Sequence, residues 1–256
     1  MSRILRGAPH TECPMREPHQ VRKAATVILL RPAKANGFEV FLTRRPDAMP
    51  FLGGMYCFPG GALQKEDYSE AMLRLCHGLS PLAARKLVGA YFSPREALGL
   101  WVAAIRELFE EVGVLLAVNR AGETWTATRN RKYHLADQRA AVLKKSLSFR
   151  SLLEGEALLC DVSRLAYFSH WQTPREISIR FDARFFLAAL PTDQDARRTS
   201  PEVAHSVWLT PDRALELFAK DKLPMIFPTF ASLRTLADFE SLDSLGKEYG
   251  SEFLRR

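Results

Sequence analysis

The stretch SPREALGLWVAAIRELFEEVG, residues 93 to 113, constrains the fold more than any other. Ser93-Pro94 reads as a helix start, since proline is tolerated in a first turn. Leu98, Trp101, Ile105, Leu108 and Val112 follow at steps of three and four, which makes one apolar stripe. Gly113 fits the left-handed residue just past a helix end. Such a helix has to lie against a core, and the stripe fixes where its other faces point. Glu107, Glu110 and Glu111 share a face roughly 100° from the stripe. Like charges so spaced repel by a few tenths of a kcal/mol per pair on an exposed helix, and by more where water is scarce. A bound divalent cation turns that liability into a site, and oxygen ligands at this density suit Mg2+ or Mn2+. Arg106, beside Glu107 and one helical turn before Glu110, can orient a carboxylate or screen the cluster. A solvated acidic face is the plainer alternative.

The flanking text supplies the other layers. From Ala24 onward, ATVILL is a continuous apolar, β-branched run, closed by Arg31-Pro32 and a turn-like Lys34-Ala35-Asn36-Gly37. FEVFLTRR follows, so the two runs form a hairpin. Next comes PDAMPFLGGMYCFPGG, a Pro- and Gly-rich loop of the kind that lets backbone approach a ligand. Residues 67 to 92 read as helical from the spacing of Leu73, Leu75, Leu79, Leu82, Leu87 and Val88, with Ser80-Pro81 as an internal start. VLLAV, LAYFSHW, SIRFDARFFLAAL and HSVWLT read as strands. DQRAAVLKKSLSFRSLL, PDRALELFAKD and FPTFASLRTLADFESL read as helices. Strands and helices alternate irregularly and no repeat shows. One α/β domain over 23–256 is expected, with a helical insertion at about 68–92 and C-terminal helices at about 228–254, behind a mobile basic tail of residues 1–22.

Composition narrows the setting. Hydrophobic residues make up 47% of 256, enough for one sizeable core with an elaboration. A net charge of +7 suits phosphates, nucleotides, RNA or an anionic surface, or serves solubility alone. Cys13, Cys57, Cys76 and Cys160 are widely spaced, without a C-x-x-C pair, so a reduced, cytoplasmic setting is expected. No apolar run approaches the roughly 18 residues that span a bilayer, so no membrane partner is expected. Nor is a DNA-reading module evident. The six histidines are scattered without metal spacing. Arg175, Arg180 and Arg184 form a second basic cluster, in which Asp182 shares a strand face with Arg180 and Arg184 and reads as their partner. Trp171 and Trp208 read as core.

FPGG at 58–61, followed by R-E-x-x-E-E-x-G, resembles the Nudix hydrolase signature G-x5-E-x7-R-E-U-x-E-E-x-G-U, where U is apolar. Arg106, Glu107, Leu108, Glu110, Glu111, Gly113 and Val114 match its second half. The spacing from Gly61 would put the arginine at position 75, so an insertion splits the box. Asp67 stands at the first acid counted from Gly61, and Glu96 lies near the place counted back from Arg106. The choice between them is open at this level. Upstream, FLTRRPDAMPFLGGMYCFPGG resembles the coenzyme A motif of Nudix coenzyme A diphosphatases. Leu42, Thr43, Arg45, Gly54, Phe58, Pro59, Gly60 and Gly61 fall in register, while Pro46 and Pro50 replace a serine and an arginine. The split box with RFDARFFLA is most similar to the acyl-CoA diphosphatase branch.

The resemblance implies a Nudix fold, a mixed sheet sandwiched between helices, and Mg2+- or Mn2+-dependent hydrolysis of a nucleoside diphosphate linkage. Coenzyme A or acyl-CoA would give 3′,5′-ADP and 4′-phosphopantetheine or its acyl form. It implies Glu107, Glu110, Glu111 and the Gly60 carbonyl as metal ligands, with Arg106 in the catalytic set. Glu202 is a further candidate ligand or base, alongside Glu111. Arg45, Arg44, Gly54, Phe58 and Gly61 are the candidate substrate contacts; neighbours on a strand face opposite ways, so at most one of Arg44 and Arg45 meets a phosphate, and the motif favours Arg45. A homodimer is common in the family. Alternatives are another substrate (ADP-ribose, a dinucleotide, capped RNA) and a ligand-sensing domain without activity.

Overall fold

The structure, a computed structural model, describes residues 21–254 apart from 35, 50, 127–128 and 197–202. Most of the tail assigned to 1–22 therefore lies outside the described residues, and Arg22 already opens the first strand.

Strands β1 (Arg22–Pro32) and β2 (Phe38–Arg44) form the expected antiparallel hairpin, with Leu30 opposite Val40. Two short strands follow in the glycine-rich region, β3 (Tyr56–Cys57) beside β2 and β4 (Gly60–Ala62) beside β1. The insertion contributes α1 (Glu70–Leu73), β5 (Cys76–His77) and α2 (Pro81–Val88). The long helix α3 spans Pro94–Val112. Then come β6 (Ala117–Asn119), α4 (Arg129–Leu143), α5 (Phe149–Gly155), β7 (Leu158–Asp161), β8 (Ala166–Gln172), β9 (Phe181–Ala189) and β10 (His205–Leu209). The chain ends in α6 (Pro211–Ala219), α7 (Phe227–Leu236) and α8 (Leu242–Glu248).

The main sheet runs β10-β2-β1-β9-β8. It is mixed: β1 and β9 are parallel, with Ala25 opposite Arg184, and their neighbours are antiparallel. As the central strand, β1 is covered on both sides, which is why its sequence is continuously apolar rather than alternating. Ala25, Val27 and Leu29 face the core under α3. Ile28 and Leu30 face a second core that includes Ala214, Leu233 and Leu245 of the C-terminal helices. The sheet is thus sandwiched between helices.

The insertion is not helical throughout. Periodicity over 67–92 suggested helix, but the chain makes a 3-10 turn at Glu66–Tyr68, two short helices and the strand β5. β5 pairs in parallel with β7, in a second sheet ordered β5-β7-β6. Gly78 has φ +97°, and a Cβ there would stand 2.5 Å from Ser163 Cβ, so a helix cannot continue through it. Of the apolar residues that suggested helical spacing, Leu73, Leu75, Leu79 and Val88 pack from separate short elements onto the core that includes α3, while Leu82 and Leu87 are exposed. The helix expected over 227–242 ends at Leu236, and α8 follows from Leu242, within the expected C-terminal helical region.

Helix α3 is tightly ended. Ser93 accepts from Glu96 N while the Glu96 side chain accepts from Ser93 N, a capping box, and Gly113 closes the other end at φ +78°. No helix is long and apolar enough to cross a membrane among the described residues.

Candidate active site

The acidic turn of α3 meets β4. The β1–β4 ladder is bracketed by Val27 N to Pro59 O at 2.8 Å and Leu63 N to Lys23 O at 2.8 Å. Antiparallel alternation then turns the polar groups of Gly60 and Ala62 away from β1, towards α3. Gly60 N donates to Glu111 Oε2 at 3.3 Å, and Ala62 O accepts from Arg106 Nη2 at 3.0 Å. Both glycines are required by close approach. A Cβ on Gly60 would lie 2.4 Å from the Ala25 carbonyl, and one on Gly61 would lie 2.3 Å from Glu107 Oε1. The two clashes differ in kind, because backbone cannot yield and a carboxylate can. Gly61→Ala should therefore leave the melting temperature within about 3 °C of wild type, since surrounding structure relaxes around a mobile side chain. It should cost at least about tenfold in turnover, because Glu107 is pushed off its position. Thermal melts paired with kinetics check this.

Arg106 organises the cluster. It is 4% exposed, and every face of its guanidinium is occupied. Nε meets Asp67 Oδ1 at 2.8 Å and Nη2 meets Asp67 Oδ2 at 3.0 Å, a bidentate pair. Nη1 bridges Glu107 Oε1 at 2.8 Å and Glu110 Oε2 at 3.3 Å. Burial opposes the charge on Arg106, but Asp67, Glu107 and Glu110 outweigh it and hold its pKa above the ordinary value. Asp67 is thereby the acid that completes the split box. Glu96 instead caps α3 and pairs with Lys23 at 2.6 Å.

The glutamates are held under electrostatic tension. Burial, against the pull of Arg106 and with the repulsion of Glu107, pushes the Glu110 carboxyl up to about 7. Glu111 is 6% exposed. No three carboxylate, imidazole or thiol groups among the described residues converge on one point as they stand. Arg106 Nη1 bridges two of the carboxylates and the Gly60 amide holds the third. The donor set is all oxygen and rich in negative charge, which fits a hard divalent cation once the carboxylates turn off these partners.

Arg139, on α4, carried no signal in the sequence. It is 7% exposed, its Nε donates to Phe109 O at 2.6 Å, and Nη2 donates to Glu110 O. It therefore caps the last carbonyls of α3 beneath the glutamates. Burial lowers its pKa to about 10, although Glu110 and Glu111 pull upward.

The loop before β3 brings the coenzyme A-motif residues alongside. Arg44 and Arg45 part as strand alternation requires. Arg44 pairs outward with Asp47 at 2.6 Å, while Arg45 Nε donates to Phe51 O at 3.1 Å. Burial pushes the Cys57 thiol up to about 11, with Glu111 adding to the effect and Arg45 opposing it. Cys57 lies opposite Thr43 on the β2–β3 ladder, three residues before Gly60, whose N–H engages Glu111. Gly54 has φ +76°, and its missing side chain makes room for Asp47 Oδ1. Phe58 is buried edge-on to Phe185, so its ring supports the loop from the core. Glu202 lies outside the described residues. Of the second basic cluster, Arg184 pairs with Asp182 as expected and stacks over Phe92, while Arg180 Nε donates to Thr173 O at 3.3 Å and His170 takes the other place on Asp182.

Comparisons with known proteins agree with this geometry. The family model described as NUDT19 Nudix domain matches residues 20–236. "Acyl-coenzyme A diphosphatase NUDT19" of Homo sapiens is 28% identical over 270 residues, covering 90% of this chain and 72% of that protein. Its Gallus gallus counterpart is 27% identical over 270 residues, covering 88% and 70%. A crystal structure of a NUDIX hydrolase from Alicyclobacillus acidocaldarius superposes with a TM-score of 0.73 at 28% identity, covering 86% of this chain and 93% of that one. The split box completed by Asp67, the sandwiched mixed sheet and the match along most of the chain lead to one conclusion: this protein belongs to the NUDT19 branch of the Nudix hydrolases.

Proposed function

We propose that the protein hydrolyses the diphosphate of coenzyme A or an acyl-CoA, releasing 3′,5′-ADP and 4′-phosphopantetheine or its acyl form. The observation that carries this reading is the juxtaposition of the acid cluster with the end of the coenzyme A motif, where Gly60 N donates to Glu111 Oε2 at 3.3 Å. Similarity to acyl-CoA diphosphatases supports it.

A diphosphate resists hydrolysis because its negative charge repels nucleophiles. Glu107, Glu110, Glu111 and the Gly60 carbonyl would hold Mg2+ or Mn2+, which would supply charge neutralisation and a more acidic water. Glu111 accepts the proton of the attacking water on a carboxylate oxygen. Arg45 offers its guanidinium to a substrate phosphate. Arg106 and Arg139 keep the last turn of α3 in place, one through side chains and the other through carbonyls. The free thiols Cys57, Cys76 and Cys160 support a reducing, cytoplasmic setting.

A substrate panel with Mg2+ or Mn2+, read by product chromatography, tests the reading. Release of 3′,5′-ADP from coenzyme A is the expected outcome. Preferential cleavage of ADP-ribose, a dinucleotide or capped RNA would replace coenzyme A with that substrate. Binding without turnover of any of them would indicate a ligand-sensing domain.

A further inference from the structure

One apolar surface at the edge of the second core is not used by the acid cluster. It lies on the side of the main sheet that packs against α6, α7 and α8. The Phe51 ring packs on Phe181 with 5.4 Å between centroids. Trp171 stands diagonal to Phe181 on the same face of the β8–β9 ladder, where Trp171 is opposite Ala183 and Thr173 N donates to Phe181 O. The Trp171 ring in turn meets Phe227 edge-on at 5.6 Å. Ile177 and Ile179, on the β8–β9 connection, are 45% and 37% exposed, and Phe227 is 68% exposed.

This strip is continuous with the candidate active site. It begins at Phe51, the residue whose carbonyl holds Arg45. Its far end is tied to the same loop, since Tyr56 N donates to Pro224 O at 2.8 Å just before the chain reaches Phe227. Its chemistry is hydrocarbon. Trp171 Nε1 is already satisfied by Ser169 Oγ at 3.1 Å, so the ring offers no donor. A nucleobase edge needs polar partners, whereas an alkyl chain needs only apolar area. Contiguous exposed apolar side chains beside a polar site mark a place where a ligand lies.

We propose that this strip is the acyl subsite, taking the fatty-acyl end of an acyl-CoA whose diphosphate sits at the acid cluster. The inference deepens the proposed activity and rests on it. Phe51 and Phe181 form the near end, with Ile177 and Ile179 on the connection that leads into Phe181, and Trp171 and Phe227 form the far end.

The test compares coenzyme A, acetyl-CoA and octanoyl-CoA, by kcat/KM with Mg2+ and by calorimetric Kd in EDTA. Each buried methylene multiplies affinity about fourfold, so both readouts should improve at least about tenfold from acetyl- to octanoyl-CoA. In the double variant Phe227→Ser, Ile177→Ser, that ratio should collapse to within about threefold. Leu82→Ser, at an exposed apolar position on α2 away from the strip, should keep the wild-type ratio. Affinity that rises with chain length while no coenzyme A compound is cleaved would sink the activity and leave the subsite standing. Cleavage with the same ratio in wild type and double variant would overturn the subsite. So would a lower mass of the double variant by light scattering with the ratio intact, which would assign the strip to contact between copies.

Discussion

Glu110→Gln and Glu111→Gln should each lower kcat by at least about a hundredfold, equivalent to roughly 2.7 kcal/mol of transition-state stabilisation. The loss should come without unfolding. Glu110 is a carboxyl that burial and Glu107 hold near neutral pH, so removing its charge relieves repulsion. The melting temperature of Glu110→Gln without metal should stay level or rise. In Glu111→Gln the new amide would still offer a carbonyl oxygen to the Gly60 N–H that Glu111 now engages at 3.3 Å. Mg2+ titration should show the other half of the effect, a weaker midpoint in both variants. Turnover unchanged in both would remove these residues from the metal set. A joint fall in turnover and melting temperature would make their role structural instead.

Asp67→Ala should have the largest effect on stability. Its bidentate partner Arg106 has a side chain only 5% exposed, so the guanidinium would keep its burial and lose two charge-assisted hydrogen bonds. Breaking one side of a buried ion pair costs about 3–5 kcal/mol. For a domain of this size that corresponds to a fall in Tm of about 10 °C. The Arg106 contacts with Glu107, Glu110 and Ala62 O remain, which keeps the loss at the lower end of that range. Asp67→Asn retains one acceptor and should lose about half as much. Differential scanning calorimetry reads both, and a Tm within about 2 °C of wild type in Asp67→Ala would deny the pair its structural role. Activity should fall as well, since Arg106 bridges Glu107 and Glu110.

Much of the site was legible in the text because it is local. Glu107, Glu110 and Glu111 lie within one helix whose stripe, cap and stop are all encoded between Ser93 and Gly113. The β1–β2 hairpin is similar, with two apolar runs and a turn between them. The Arg44/Arg45 division followed from strand alternation alone. The insertion defeated the same approach. Its leucines recur at near-helical spacing, but β5 exists because Cys76 and His77 pair with Cys160 and Asp161 of a strand far along the chain. Local periodicity cannot register a partner that distant.

Sequence by itself determined the acidic helix, the glycine-rich bend and the family they belong to, since these depend on spacings within a few turns. Only the tertiary structure chose Asp67 over Glu96, because that choice is an ion pair spanning 39 positions. It alone placed Arg139 under the end of α3, 30 positions from the carbonyl it binds. It also gathered Phe51, Phe181, Trp171 and Phe227 into one strip. Hydrogen bonds and apolar contacts act over a few ångströms, and how the chain folds back on itself decides which distant residues come within that reach.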